Sequence, residues 1–171
     1  MKQVIFCVET NKNANSDPLY IYKTVKCFYK IDDCVKLDYV YLDGKGNYNK
    51  PHILKEISDL CNRASHMKHY VIYCIDTDDL EDPDRQKETK KIQRFCKKRQ
   101  YEFVWFCRDV EEVFLHKRVR KNKKVSEAKK FSNMQGLGQA SSTYLHSSTY
   151  GQYKSNLLTI LDNILTKNKK A

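Results

Sequence analysis

Four short runs of apolar residues punctuate the chain: residues 3–8 (QVIFCV), 36–42 (KLDYVYL), 70–75 (YVIYCI) and 101–107 (YEFVWFC). Each is largely continuous rather than alternating and is bounded by polar residues, the pattern of strands buried on both faces, as in a parallel sheet. Between them the apolar period lengthens to that of helices. Ser16, Asp17 and Pro18 mark a helix start, with the helix running to about residue 31 and burying Leu19, Tyr22, Val25 and Phe28 or Tyr29. Pro51 opens a second helix carrying Ile53, Leu54, Ile57, Leu60 and Cys61 at helical spacing. Residues 84–100 form a strongly basic third helix anchored by Ile92, Phe95 and Cys96, and 109–115 (DVEEVFL) turn into another. Strands alternating with helices predict an α/β fold. Its central parallel sheet has about four strands in the order 2-1-3-4, with right-handed crossovers and helices on both faces.

After this core, at about 3–118, the pattern changes. Residues 116–130 carry eight Lys or Arg against one Glu. Residues 134–150 are rich in Gly, Ser, Thr and Gln and read as mobile. An amphipathic helix over 152–166, with Leu157, Leu158, Ile160, Leu161, Ile164 and Leu165, is expected to cover the sheet, and the basic tail 167–171 to fray. The segment 43–47 (DGKGN) reads as a flexible turn. With 171 residues and no internal repeat, one domain is expected.

Charge narrows the partners. A formal net charge of +11 favours a polyanion, nucleic acid first, although basicity alone also suits an anionic membrane surface. No apolar run approaches the roughly 20 residues of a membrane span, and Met1 leads straight into a strand rather than a signal peptide. The seven cysteines show no CxxC pair and an odd count, which predicts free thiols in a reducing cytoplasm. DNA, RNA and nucleotide substrates, and the oligomeric state, stay open.

The candidate chemistry lies where strands end. Glu9 follows the first strand, Asp76 and Asp78 the third, and Asp109, Glu111 and Glu112 the fourth. The carboxyl edge of an open α/β sheet is where ligands bind. Asp76 and Asp78, two apart on an extended chain, are expected to leave on the same side and repel, so that Asp78→Asn relieves strain. A hard cation, Mg²⁺ or Mn²⁺, would settle such a cluster, with neighbouring lysines holding phosphates. The bland alternative is a solvated acidic turn extended by Asp82, Pro83 and Asp84. Lys90, Lys91 and Arg94 on the third helix, and Lys117, Arg118, Arg120, Lys121, Lys123 and Lys124 beyond the fourth strand, are candidates for phosphate-backbone contact, or else a solvated face.

A glutamate closing the first strand and an Asp-x-Asp closing a later parallel strand resemble the Toprim domain. The likeness is greatest to small stand-alone proteins of the RloB and OLD-nuclease type, found near restriction and anti-phage loci. Glu112-Val113-Phe114-Leu115 stands where that group has an acidic residue opening a helix. The resemblance implies a metal-dependent nuclease acting on nucleic acid, with a protein partner from a defence locus. Asp76 and Asp78 would bind metal, Glu9 would share it or act as acid/base, and Glu112 would complete a second position. Thr10 replaces the glycine usual after the glutamate, and a longer loop separates Glu9 from Asp17.

Two rival readings follow. One is a non-catalytic nucleic-acid-binding or complex-forming module with a degenerate acidic site. The other is a HAD-like phosphatase, because Asp76-Thr77-Asp78-Asp79-Leu80 is similar to its DxDx motif, although two strand–helix units precede it here. The five histidines lack HxxxH or HExxH spacing. Ser147 and Ser148 have no nucleophile-elbow pattern, and Gly136-Leu137-Gly138 has no preceding strand.

Overall fold

A computed structural model describes residues 1–79, 81–138 and 141–168. Four strands, β1 (Lys2–Val8), β2 (Val35–Tyr41), β3 (Lys68–Asp76) and β4 (Glu102–Phe106), form one sheet in the order β2-β1-β3-β4. All three pairings are parallel. The helices are α1 (Ser16–Phe28), α2 (Pro51–Arg63), α3 (Pro83–Arg99), α4 (Val110–Leu115), α5 (Lys124–Asn133), α6 (Ser142–Leu145) and α7 (Leu157–Asp162). The α/β architecture and strand order are those the hydrophobic pattern predicts.

Alternation along each strand feeds two separate cores. Val4, Phe6 and Val8 face α1, α4, α5 and α7, packing with Tyr20, Phe114, Phe131 and Leu158. Ile5, Cys7, Tyr73 and Ile75 face the opposite way and meet Ile53, Ile57, Ile92 and Cys96 of α2 and α3. All seven cysteines are free, and four of them are buried as small apolar groups. Among the described residues, no helix is long and apolar enough to cross a membrane.

Three elements depart from the sequence reading. In α1 the buried stripe is Tyr20, Ile21, Thr24 and Val25, while Tyr22 is exposed beneath the Lys26 ammonium. That helix stops at Phe28 because Lys30 N–H donates to Thr166 O and Asn168 N–H to Phe28 O. Lys167, expected to fray, thus bridges Tyr29 and pairs with Asp162 at 2.8 Å; 169–171 lie outside the described residues. The final helix is shorter than 152–166. Residues 154–156 are drawn onto the open edge of β4, with Cys107 N–H donating to Lys154 O and Trp105 N–H to Asn156 Oδ1. Pairing to an exposed strand edge here overrides helical periodicity. Within 134–150, α6 seats Leu145 in the core; residues 139–140 lie outside the described residues, as does Leu80 of the HAD-like motif.

Candidate functional site

The order β2-β1-β3-β4 reverses direction between β1 and β3, and at that switch point their carboxyl ends lie side by side. Glu9 leaves β1 there, and its Oε1 accepts the backbone N–H of Asp76 at 2.7 Å. Asp76 ends β3, and its Oδ1 accepts the N–H of Val110, in the first turn of α4, at 3.1 Å. Asp17 joins them from the start of α1. Rather than capping that helix, it accepts from Thr10 N–H at 3.4 Å and Ser16 Oγ at 3.2 Å. Glu111 enters from α4, wholly buried, with its Oε1 accepting no hydrogen bond.

Burial of this much negative charge shifts proton affinities upward. Desolvation, outweighing the nearby Lys45 ammonium, pushes Glu9 up to about 8. Desolvation followed by the charge of Glu111 pushes Asp17 up to about 6. Asp76 is raised well above the carboxylate range by burial, then by Glu9, Asp17, Asp109 and Glu111. Glu111 is raised by burial despite its lysine partner.

Two ammonium groups are built into the edge. Lys45, from the turn after β2, is only 7% exposed and donates to Asp78 Oδ2 at 2.5 Å and Asp76 O at 3.0 Å. Glu88 of α3 lies 3.8 Å from the same nitrogen. On the other flank Lys124 donates to Glu111 at 2.7 Å and Asp109 at 3.1 Å, and these carboxylates raise its own proton affinity. The segment 43–47 therefore contains a short helical turn, Lys45–Asn47, rather than only a flexible connection.

Asp76 and Asp78 do not share one side. The strand ends at Asp76, and Asp78 is left-handed at φ 54°, a conformation Asp tolerates better than most residues. Its N–H donates to Arg108 O at 2.9 Å, Arg108 is itself left-handed at φ 63°, and Arg108 N–H returns to Thr77 Oγ1 at 3.0 Å. This crossed pair clamps β3 to β4 and sends Asp78 toward Lys45 and Arg85 while Asp76 points toward α4. Among the described residues, no three His, Cys, Asp or Glu side chains are already arranged to hold a metal ion. The donor chemistry nonetheless suits a hard cation. Glu9, Asp17, Asp76 and Glu111 offer only oxygen, their charge is incompletely offset, and one buried oxygen has no donor.

The other sequence candidates divide. Glu112 Oε1 faces Arg118 at 3.1 Å and Arg108 at 3.7 Å, so Glu111 rather than Glu112 belongs to the acidic group. Lys117 pairs with Glu127 at 2.7 Å, and Lys124 is engaged with carboxylates rather than presented to solvent. Arg120, Lys121, Lys123, Lys90, Lys91 and Arg94 are exposed. The two basic segments pack on opposite faces of the sheet: α3 through Ile92 and Cys96, α5 through Ala128 and Phe131. They approach the acidic edge through Arg85, Arg118 and Lys124. Sequence reasoning missed Lys45 and Asp17's burial, and chose Glu112 over Glu111 from the acidic group after the fourth strand. For Glu111 a signal existed, since it lies three residues before Phe114 and so shares the buried face of α4.

No family model and no curated protein matches the chain. Among solved structures, a de novo designed Rossmann fold protein is similar over 78% of this chain and 100% of its own length. The identity is 13% and the TM-score 0.33.

Proposed function

We propose that this chain is a Mg²⁺- or Mn²⁺-dependent phosphodiester-processing enzyme, a Toprim-like nuclease acting on nucleic acid. The observation that carries the reading is the convergence of Glu9, Asp17, Asp76 and Glu111 at the switch point, each with raised proton affinity. Structural acids in a basic protein are normally solvated or fully paired; among the described residues Glu111 has one ammonium partner, Lys124, and Glu9, Asp17 and Asp76 make no salt bridge. Glu9, Asp76 and Asp17 would hold the ion, with Glu111 beside them. Such an ion supplies positive charge for the phosphoryl oxygens and an acidified water.

The chain's own residues supply the rest. Glu9 either shares the ion as a carboxylate or, unligated, with its proton affinity raised by burial, holds or releases a proton as general acid/base. Lys45 ties the Asp78 carboxylate and the Asp76 carbonyl to one ammonium group. Arg108, about half exposed, and Arg118, largely exposed, stand beside Glu112, ready to orient a phosphate. A role in phage defence, with a protein partner from such a locus, fits the resemblance.

A second reading has one observation in its favour. Lys45 and Lys124 already donate to Asp78, Asp109 and Glu111, so the edge is partly neutralised by its own ammonium groups. That suits a nucleic-acid-binding module without catalysis. The discriminating experiment incubates purified protein with labelled single- and double-stranded DNA and RNA, with Mn²⁺ or EDTA. Metal-dependent cleavage that disappears in Asp76→Asn supports the enzyme. Binding without cleavage under every condition supports the module.

A further inference from the structure

We infer that the substrate is single-stranded nucleic acid, carried to the acidic edge along a groove beside β4 and gripped by base stacking on Tyr150. The inference rests on the phosphodiester-processing reading of the same edge and names its substrate class.

Three clefts mark the path. The first, about 270 Å³, lies at Asp78, Asp109, Glu112 and Arg118. It shares Asp79 and Arg108 with a second of about 320 Å³, which is closed by Cys107, Gly151 and Gln152. Tyr150, next to Gly151, is the wall of a third, about 330 Å³, against Lys90 of α3. The first two clefts share residues with the acidic edge, and an exposed aromatic ring with a lysine beside it stands one residue along the chain from the second.

Tyr150 is built as a platform. It is 44% exposed, yet its ring leans on buried Trp105 of β4, with centroids 4.6 Å apart and the ring planes inclined at 52°. Its loop is fixed from below, where Gly151 N–H donates to Cys107 Sγ at 3.1 Å and Cys107 N–H to Lys154 O at 2.9 Å. A ring anchored by Trp105 and still partly open to solvent suits an unstacked base, which every nucleotide of a single strand can offer. A duplex hides those base faces. It also brings twice the phosphate density into a groove whose floor includes Asp79 and Glu81. Arg108, half exposed in both of the first two clefts, and Lys90 space positive charge along the path for one backbone.

Trp105 is the chain's single tryptophan and touches the platform, so it reports binding directly. The full-length protein is titrated in EDTA with a 20-nucleotide single strand and with the matching duplex, following Trp105 fluorescence and, independently, anisotropy of an end-labelled probe. The single strand is expected to perturb Trp105 and to bind at least tenfold more tightly than the duplex. Tyr150→Ala should weaken single-strand binding roughly 5- to 150-fold, the range expected for one stacked base, while Tyr150→Phe keeps it. Circular dichroism and thermal melting establish that each variant is folded, and Tyr150→Leu repeats the test should alanine loosen the loop. Equal or tighter duplex binding, no binding at all, or unchanged affinity in Tyr150→Ala and Tyr150→Leu overturns the inference. Because EDTA removes catalysis, the two readings fail separately. Mn²⁺-dependent cleavage without Tyr150-dependent binding defeats only the groove, and Tyr150-dependent binding without cleavage defeats only the nuclease.

Discussion

The Glu9 carboxylate accepts the backbone N–H of Asp76 at 2.7 Å, tying the carboxyl ends of β1 and β3 together where the sheet reverses its strand order. A carboxylate spent on a backbone donor is oriented rather than free, and its second oxygen is left for another partner. Around that bond the acids outnumber the two lysines that reach them.

Stability without metal should therefore fall as pH rises. Glu9, Asp17, Asp76 and Glu111 bind protons more tightly folded than unfolded, so the folded chain carries the extra protons between about pH 4 and 8. Their contribution is complete below the unfolded values and is lost as pH climbs through the folded ones. Glu127 and Asp162, shifted downward, act at lower pH, and His116, also lowered, offsets only part of the trend. Thermal melts in EDTA are expected to give a higher Tm at pH 5 than at pH 8. A Tm that rises over this interval would contradict the assignment.

Lys124 is expected to matter more for folding than for nucleic acid. Lys124→Met leaves Glu111 buried and without its cation, which costs on the order of 3 kcal/mol. Urea denaturation should show that loss, and Glu111→Gln in the same chain should recover most of it. If Lys124→Met is neutral, the pair is not structural.

Asp78→Asn tests a reversal of expectation. Two aspartates on one side would repel, and the substitution would stabilise. With Asp78 instead pairing Lys45, whose side chain is nearly inaccessible, it should destabilise by about 1–3 kcal/mol. Urea denaturation of this single variant decides between the two pictures.

The strands were legible because continuous apolar runs have one economical use, and Glu9 and Asp76 were legible as the residues that end them. Less could be read where tertiary contact chose the outcome. Lys45 sits in a Gly-rich turn with nothing local to say that its ammonium reaches Asp78, 33 residues away. The left-handed backbone of Asp78 turned an expected pair of aspartates into two separate groups. Lys124 looked like its neighbours in a basic run, and only the fold points it at Glu111.

The exposed members of that run make a separate prediction. Lys121→Glu with Lys123→Glu should weaken nucleic-acid binding uniformly across sequences and flatten its salt dependence, each lost contact removing about one unit of slope. Anisotropy titrations at several salt concentrations check this. Unchanged slopes would confine binding to the Tyr150 groove.

The most direct test of the central claim is the Mn²⁺-induced shift in Tm at pH 8, measured for the native chain and for Asp76→Asn. At a hundredfold excess over Kd, binding to the folded state adds about 2.7 kcal/mol, or roughly 5–10 °C for a chain of this size. The native chain should show that shift and Asp76→Asn should not. An unresponsive native chain, or an equal shift in both, would contradict a cation site at Glu9 and Asp76.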